Sequence, residues 1–146
     1  MTDIVSPAIA RIRAQCATFS SRVAGAAELA AATEAGDNIA VPHAWVVYAG
    51  ETAEPAQTAG QVFQAVELGF AVVVAIDNSA DRRGAAATDS AFTIRESLLT
   101  ALLGWEPVAD VGLAGVEYRG SEFLEMTRAR LWHQFNFTVI HNIQEA

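Results

Sequence analysis

The chain has 146 residues, a hydrophobic fraction of 52%, a charged fraction of 18% and a formal net charge of −8. That length suits a single domain, residues 1–146, whose core needs no staples, and the lone Cys16 excludes an internal disulfide or a thiolate metal cluster. All nine basic residues are arginines, which argues against a basic patch that grips phosphate. Arginine without lysine suits planar contacts at interfaces, and it is equally what a GC-rich genome would produce. Asp3, Arg11 and Arg13 interrupt the N-terminus too early for a signal peptide.

In chain order, Pro7 opens a first helix with Ser6 as its cap, and Ile9, Ile12, Cys16 and Phe19 follow at helical spacing. The alanine-rich stretch from Val23 to Thr33 predicts a second short helix, closed by Gly36 and Asp37. Pro42 to Tyr48 reads as a short strand, and Gly50 to Gly60, without periodicity, as an exposed, mobile loop.

From about Gln61 to Asp77 one strand runs without a break, far longer than the roughly 5–6 residues of a typical strand. Its even positions (Val62, Val66, Leu68, Phe70, Val72, Val74, Ile76) are bulky and apolar, with Gln64 as the exception. Its odd positions are mostly small, which lets a helix or another backbone come close. A small domain cannot bury all of such a ribbon. Part of it is expected to pass beyond the core and meet another subunit, which favours an assembly protein over an enzyme.

Ser79 or Asp81 is expected to cap the main helix, where Ala91, Ile94, Leu98 and Leu102 form one apolar stripe widened by Phe92, Leu99 and Leu103. Gly104 suits the left-handed residue after that helix, with Trp105 folding back on Leu99 and Pro107 preventing its resumption. Val116–Arg119 and Glu122–Met126 read as a hairpin about Gly120–Ser121, and Arg128 to His141 as the last strand. The fold class is α+β, a mainly antiparallel sheet with a long β-ribbon and helices packed on one face.

Catalytic chemistry finds little support. His133 and His141 share a strand face but sit about 26 Å apart at the usual rise, and His43 has no metal-ligand partner at a suitable spacing. There is no nucleophile elbow and no phosphate-gripping lysine. Glu117 and Arg119 fall on one face of their strand, as a salt-linked exposed ribbon would have them. Arg82 and Arg83 stand at the start of the main helix, where the dipole disfavours cations, so they are candidates to answer acids on a neighbour. Trp45, Trp105 and Trp132 read as packing or interface anchors. Phe63, Val73 and Trp132 join Arg82 and Arg83 as candidate interface residues.

Several segments together resemble a known family. They are Pro42-His43-Ala44-Trp45-Val46, the glutamine-led strand from Gln61, Asp77, the helix ending Leu102-Leu103-Gly104-Trp105 with Pro107, the Tyr118–Phe123 hairpin, and the aromatic strand Trp132–Phe137. The chain resembles the tail terminator proteins of tailed bacteriophages, including the Gp37-like proteins, over about Pro42 to Ile143. The resemblance implies a non-enzymatic virion protein, assembled in the host cytoplasm without cofactor or metal. It would form a homo-hexameric ring on the head-proximal end of the tail tube. That ring would stop tube growth and dock the neck, and in a contractile tail it would touch the sheath. DNA would slide through without specific binding, past lumen acids for which Glu34, Glu51 and Glu54 are the candidates. The alternatives are another head–tail joining or completion protein, or a small ligand-binding or enzymatic α+β domain using a pocket beside His43 and Trp45.

Overall fold

The computed structural model describes residues 3–35, 39–58, 62–78, 85–107, 115–127 and 129–144. Helix α1 (Val5–Gln15) is followed by a 3-10 turn (Ala17–Phe19), strand β1 (Val23–Ala24) and helix α2 (Ala26–Ala35). Then come β2 (His43–Ala53), β3 (Gln57–Thr58), β4 (Val62–Asp77), α3 (Ala85–Leu102), β5 (Glu117–Met126) and β6 (Arg130–Gln144). The strands form one sheet in the order β1-β2-β4-β6-β5, with β3 paired to β4 beyond the end of β2. Only the β1–β2 pair is parallel.

Strands β4 and β6 pair antiparallel without a slip from Asp77↔Arg130 to Phe63↔Gln144. The expected alternation decides which side chains meet which layer. The bulky even face of β4 (Phe70, Val72, Val74, Ile76) joins Phe135, Phe137 and Val139 of β6 in the main core. Helices α1 and α3 close that core with Ile12, Ile94, Leu98 and Leu102, joined by Ile4 just ahead of α1. Each such side chain contributes about 1.5–3 kcal/mol through burial. The small odd face holds a second cluster, in which Ala32 of α2 packs with Trp45, Val73, Ala75 and Trp132. Two helices thus share the expected face, and α2 lies on the other because alanine-sized positions there admit it.

Gln64, the polar exception on β4, reaches sideways rather than inward: its Nε2 donates to the Glu54 carbonyl at 2.8 Å. It ties down the stretch expected to be a mobile loop. There β2 continues to Ala53 through a bulge at Gly50 (φ +93°), and β3 then pairs Gln57 with Phe63. An open partner edge on β4 extends the strand where sequence periodicity had stopped.

Other boundaries move for similar reasons. Val23 and Ala24 are a strand rather than the start of a helix, because they pair with Ala44 and Trp45. The first helix is capped by Asp3, whose Oδ1 accepts from the Val5 and Ser6 amides at 2.9 and 3.2 Å, leaving Ser6 inside it. These bonds hold the Asp3 carboxyl below its usual range, the Ser6 contacts contributing most. Gly104 has the expected left-handed φ of +75°, and Trp105 packs on the same core as Leu99. Phe92 and Leu103 do not widen the α3 stripe; they are 63% and 50% exposed.

The expected hairpin about Gly120–Ser121 is instead one strand, β5, paired along β6. Gly120 (φ +98°) takes up a bulge in that strand rather than a turn. The reversal comes between β5 and β6, where Asn78 holds both sides: its Nδ2 donates to the Thr127 carbonyl and its amide donates to that of Ala129, both at 2.8 Å. Arg82, Arg83, Ser79, Asp81, Gly36, Asp37, Gln61 and Arg128 lie outside the described residues.

Candidate assembly surfaces

The ribbon has a tip. Beyond Thr138, β6 has no β5 partner, so the sheet narrows to β6, β4 and the β2–β3 side. Phe63 and Ile143 are 43% and 42% exposed there, and Glu51 to Ala56 are all exposed. Glu54 and Phe63 line one depression together with Pro55, Ala56 and Ala65. Two candidate residues, Glu54 on one side and Phe63 on the other, are therefore brought to one place, while Glu51 lies farther along the ribbon, opposite Leu68. Glu34 is exposed but sits on α2.

The other interface candidates lie deeper. Val73 and Trp132 are 5% and 9% exposed, covered within the second cluster. Both border a 390 Å³ depression between α2 and β5, with Leu29, Thr33, Leu124 and Gln134. His43, Trp45 and Trp132 stack in series, with centroids 4.2 and 5.4 Å apart, and Trp45 is fully buried. Burial holds the His43 imidazole below its ordinary value, and the Arg22 charge adds to this.

Sequence periodicity did not reveal the surface around β5. Residues Ser121 to Met126 are exposed on both faces of this edge strand, including Phe123 (56%), Leu124 (44%) and Met126 (42%). Phe123, Met126 and Phe92 border a 320 Å³ groove between α3 and β5, floored by Leu131 and Phe135. Arg95 and His133 also line it. His133 lies below its ordinary imidazole range, mainly through burial, with the Glu122 charge opposing. A signal was available: Phe123 and Leu124 are consecutive, and no strand can turn both to one core.

The remaining polar groups build the scaffold. Arg119 spans three strands, its Nε donating to Thr138 Oγ1 at 2.9 Å and its Nη2 to Glu67 Oε2 at 3.0 Å, with Glu117 at 3.4 Å. Cys16 is buried and donates to the Ser97 carbonyl at 3.5 Å, and burial pushes its thiol up. Among the described residues, no group of three or more His, Cys, Asp or Glu could hold a metal ion. No described helix is long and apolar enough to cross a membrane.

A projecting ribbon and two separate exposed apolar surfaces fit a protein that assembles. The family model described as "Phage tail terminator protein" matches residues 2–146, essentially the whole chain. The chain belongs to the phage tail terminator family. Membership gives it a structural role in phage tail assembly, in the company of other tail and head proteins, and places it with the virion tail. The family is a structural one rather than an enzymatic one. No curated protein matches the chain.

Proposed function

We propose that this chain closes into a homo-hexameric ring on the head-proximal end of the tail tube, stops tube polymerisation, and presents the surface on which the neck docks. The family match over residues 2–146 carries this reading. The ribbon tip and the exposed β5 edge support it, because a head-to-tail ring needs two different patches on each subunit. The last tube ring is one neighbour and the neck proteins the other; a contractile tail adds the sheath.

DNA passes through the ring without specific binding. Exposed Glu51, Glu54 and Glu34 are the acids proposed for the lumen. Fixed carboxylates repel phosphate over roughly a Debye length of 8–10 Å, which lets the duplex slide. Arg82 and Arg83 are proposed to meet acids of an adjacent subunit.

The test is to add the purified chain to polymerising tube protein and measure tube lengths by electron microscopy. Short tubes carrying one extra ring at a single end are expected. An unchanged length distribution at saturating protein would overturn the reading.

A further inference from the structure

We propose that the β4–β6 tip of one copy seats in the α3–β5 groove of the next, so that Phe63 and Ile143 cover Phe92, Phe123 and Met126. The proposal deepens the ring reading and rests on it.

Tip and groove cannot meet within one chain. Leu131, in the groove floor, and Ile143, at the tip, lie on the same β6 strand, about 40 Å apart at the usual rise. A straight strand paired along its whole length to β4 cannot fold back on itself. A tip that covers the groove therefore comes from a second copy, in a heterologous contact that repeats around a ring.

Charge complements the apolar match. The tip residues 48–58, 62–66 and 139–144 include Glu51 and Glu54 and no arginine. Among the described residues, the groove lining includes the charged Arg95 and no carboxylate. Arg95 holds Glu96 at 2.7 Å and lies 5.2 Å from the Tyr118 ring centroid, so its guanidinium is positioned at the rim rather than free to swing. Glu51 and Glu54 thus steer the tip towards the groove and away from another tip during encounter, and they stay exposed to the lumen once Phe63 and Ile143 are seated.

The β5 edge is blunted against backbone pairing by Glu117, Arg119, Glu122 and Glu125 and by two register shifts, so its apolar side chains rather than its backbone offer the contact. Exposure on both faces leaves Phe123 and Leu124 uncovered in the single subunit. The tip covers the α3 side, where the groove has the larger apolar rim.

Cysteine cross-linking tests the contact. The double variant Phe63→Cys/Met126→Cys, oxidised alone at high concentration and on capped tubes, should give a ladder of disulfide-linked oligomers on non-reducing gels. A mixture of the two single variants should give heterodimers. Homodimers of either single variant in place of heterodimers, or no cross-link in any sample, would overturn the proposal. Phe123→Glu, at an exposed position that leaves folding intact, should cut the cross-linked fraction at least about tenfold, because a carboxylate would have to be desolvated in the groove. Cross-linking unaffected by Phe123→Glu also overturns it. Capped tubes without cross-links leave the terminator reading standing and remove this contact; cross-links without capping do the reverse.

Discussion

Trp45 and Trp132 stack across the strand that separates them, with ring centroids 5.4 Å apart and planes inclined by 15°. Trp45 lies on β2 opposite Val73, and Trp132 lies on β6 opposite Ala75. Two strands removed from each other stand roughly 9–10 Å apart, so the indoles meet only by leaning over β4. The small side chain of Ala75 leaves room for this. His43 extends the stack on the far side.

This stack should anchor the second cluster. Trp45→Ala is expected to cost about 3–5 kcal/mol by denaturant unfolding, the range for removing a large buried aromatic. Trp45→Phe should cost far less, under about 1.5 kcal/mol, because the buried Nε1 meets no acceptor among the described residues and only packing is lost. Equal losses for the two variants would show that the indole nitrogen has a partner that matters.

Stability should fall on mild acidification. His43 and His133 are both held below the ordinary imidazole value of 6.5, chiefly by burial. As pH falls below about 6.5 the unfolded chain takes up protons that the folded chain refuses, so unfolding is favoured. The stabilisation is complete above that value and is lost as pH drops towards the depressed folded values. Unfolding midpoints measured between pH 7.5 and 5 should decline, and His43→Phe/His133→Phe should flatten the decline. A double variant with the same slope would assign the effect to other groups.

Gly115 should tolerate no side chain. A Cβ there would stand 2.8 Å from the Cα and carbonyl oxygen of Gly104, inside the pair of bonds that join Gly104 to Val116 and Val116 to Trp105. Both neighbours are backbone, so relief requires moving the end of α3. Gly115→Ala is expected to destabilise by about 1–3 kcal/mol, with a thermal melt as the measurement.

Reversing Arg82 and Arg83 together to glutamate should impair ring or tail assembly, read as native mass and tube capping, while the melting temperature of the free subunit stays within a degree or two. Unimpaired capping would remove these arginines from the interface.

Much of the fold was legible because burial imposes a period. The alternation of β4 named both its faces, and β6 followed the same rule, with Leu131, Phe135, Phe137 and Val139 all turned to the main core. The Ala91–Leu102 stripe likewise named the buried side of α3. The reading failed where pairing rather than burial decides structure. Residues Glu51–Ala53 have no apolar pattern, yet they are strand because β4 offers them an edge. Gly120 has the composition of a turn, yet it occupies a bulge because β6 continues beside it.

The candidate surfaces divide in the same way. By itself the sequence determined that the chain carries one unusually long alternating strand, that its charge is acidic, and that it resembles tail terminators, because length, alternation and composition are local or summed properties; the single subunit nevertheless buries Val66 to Ile76 of that strand on its bulky face and leaves Phe63 exposed. Only the tertiary structure decided that Val73 and Trp132 are covered by α2, that Phe63 shares a tip with Glu54, and that Phe92, Phe123 and Met126 gather around one groove. Those neighbours are separated in the chain, by nine residues for Glu54 and Phe63 and by about thirty for Phe92 and Phe123, and sheet order and strand register set the distances between them.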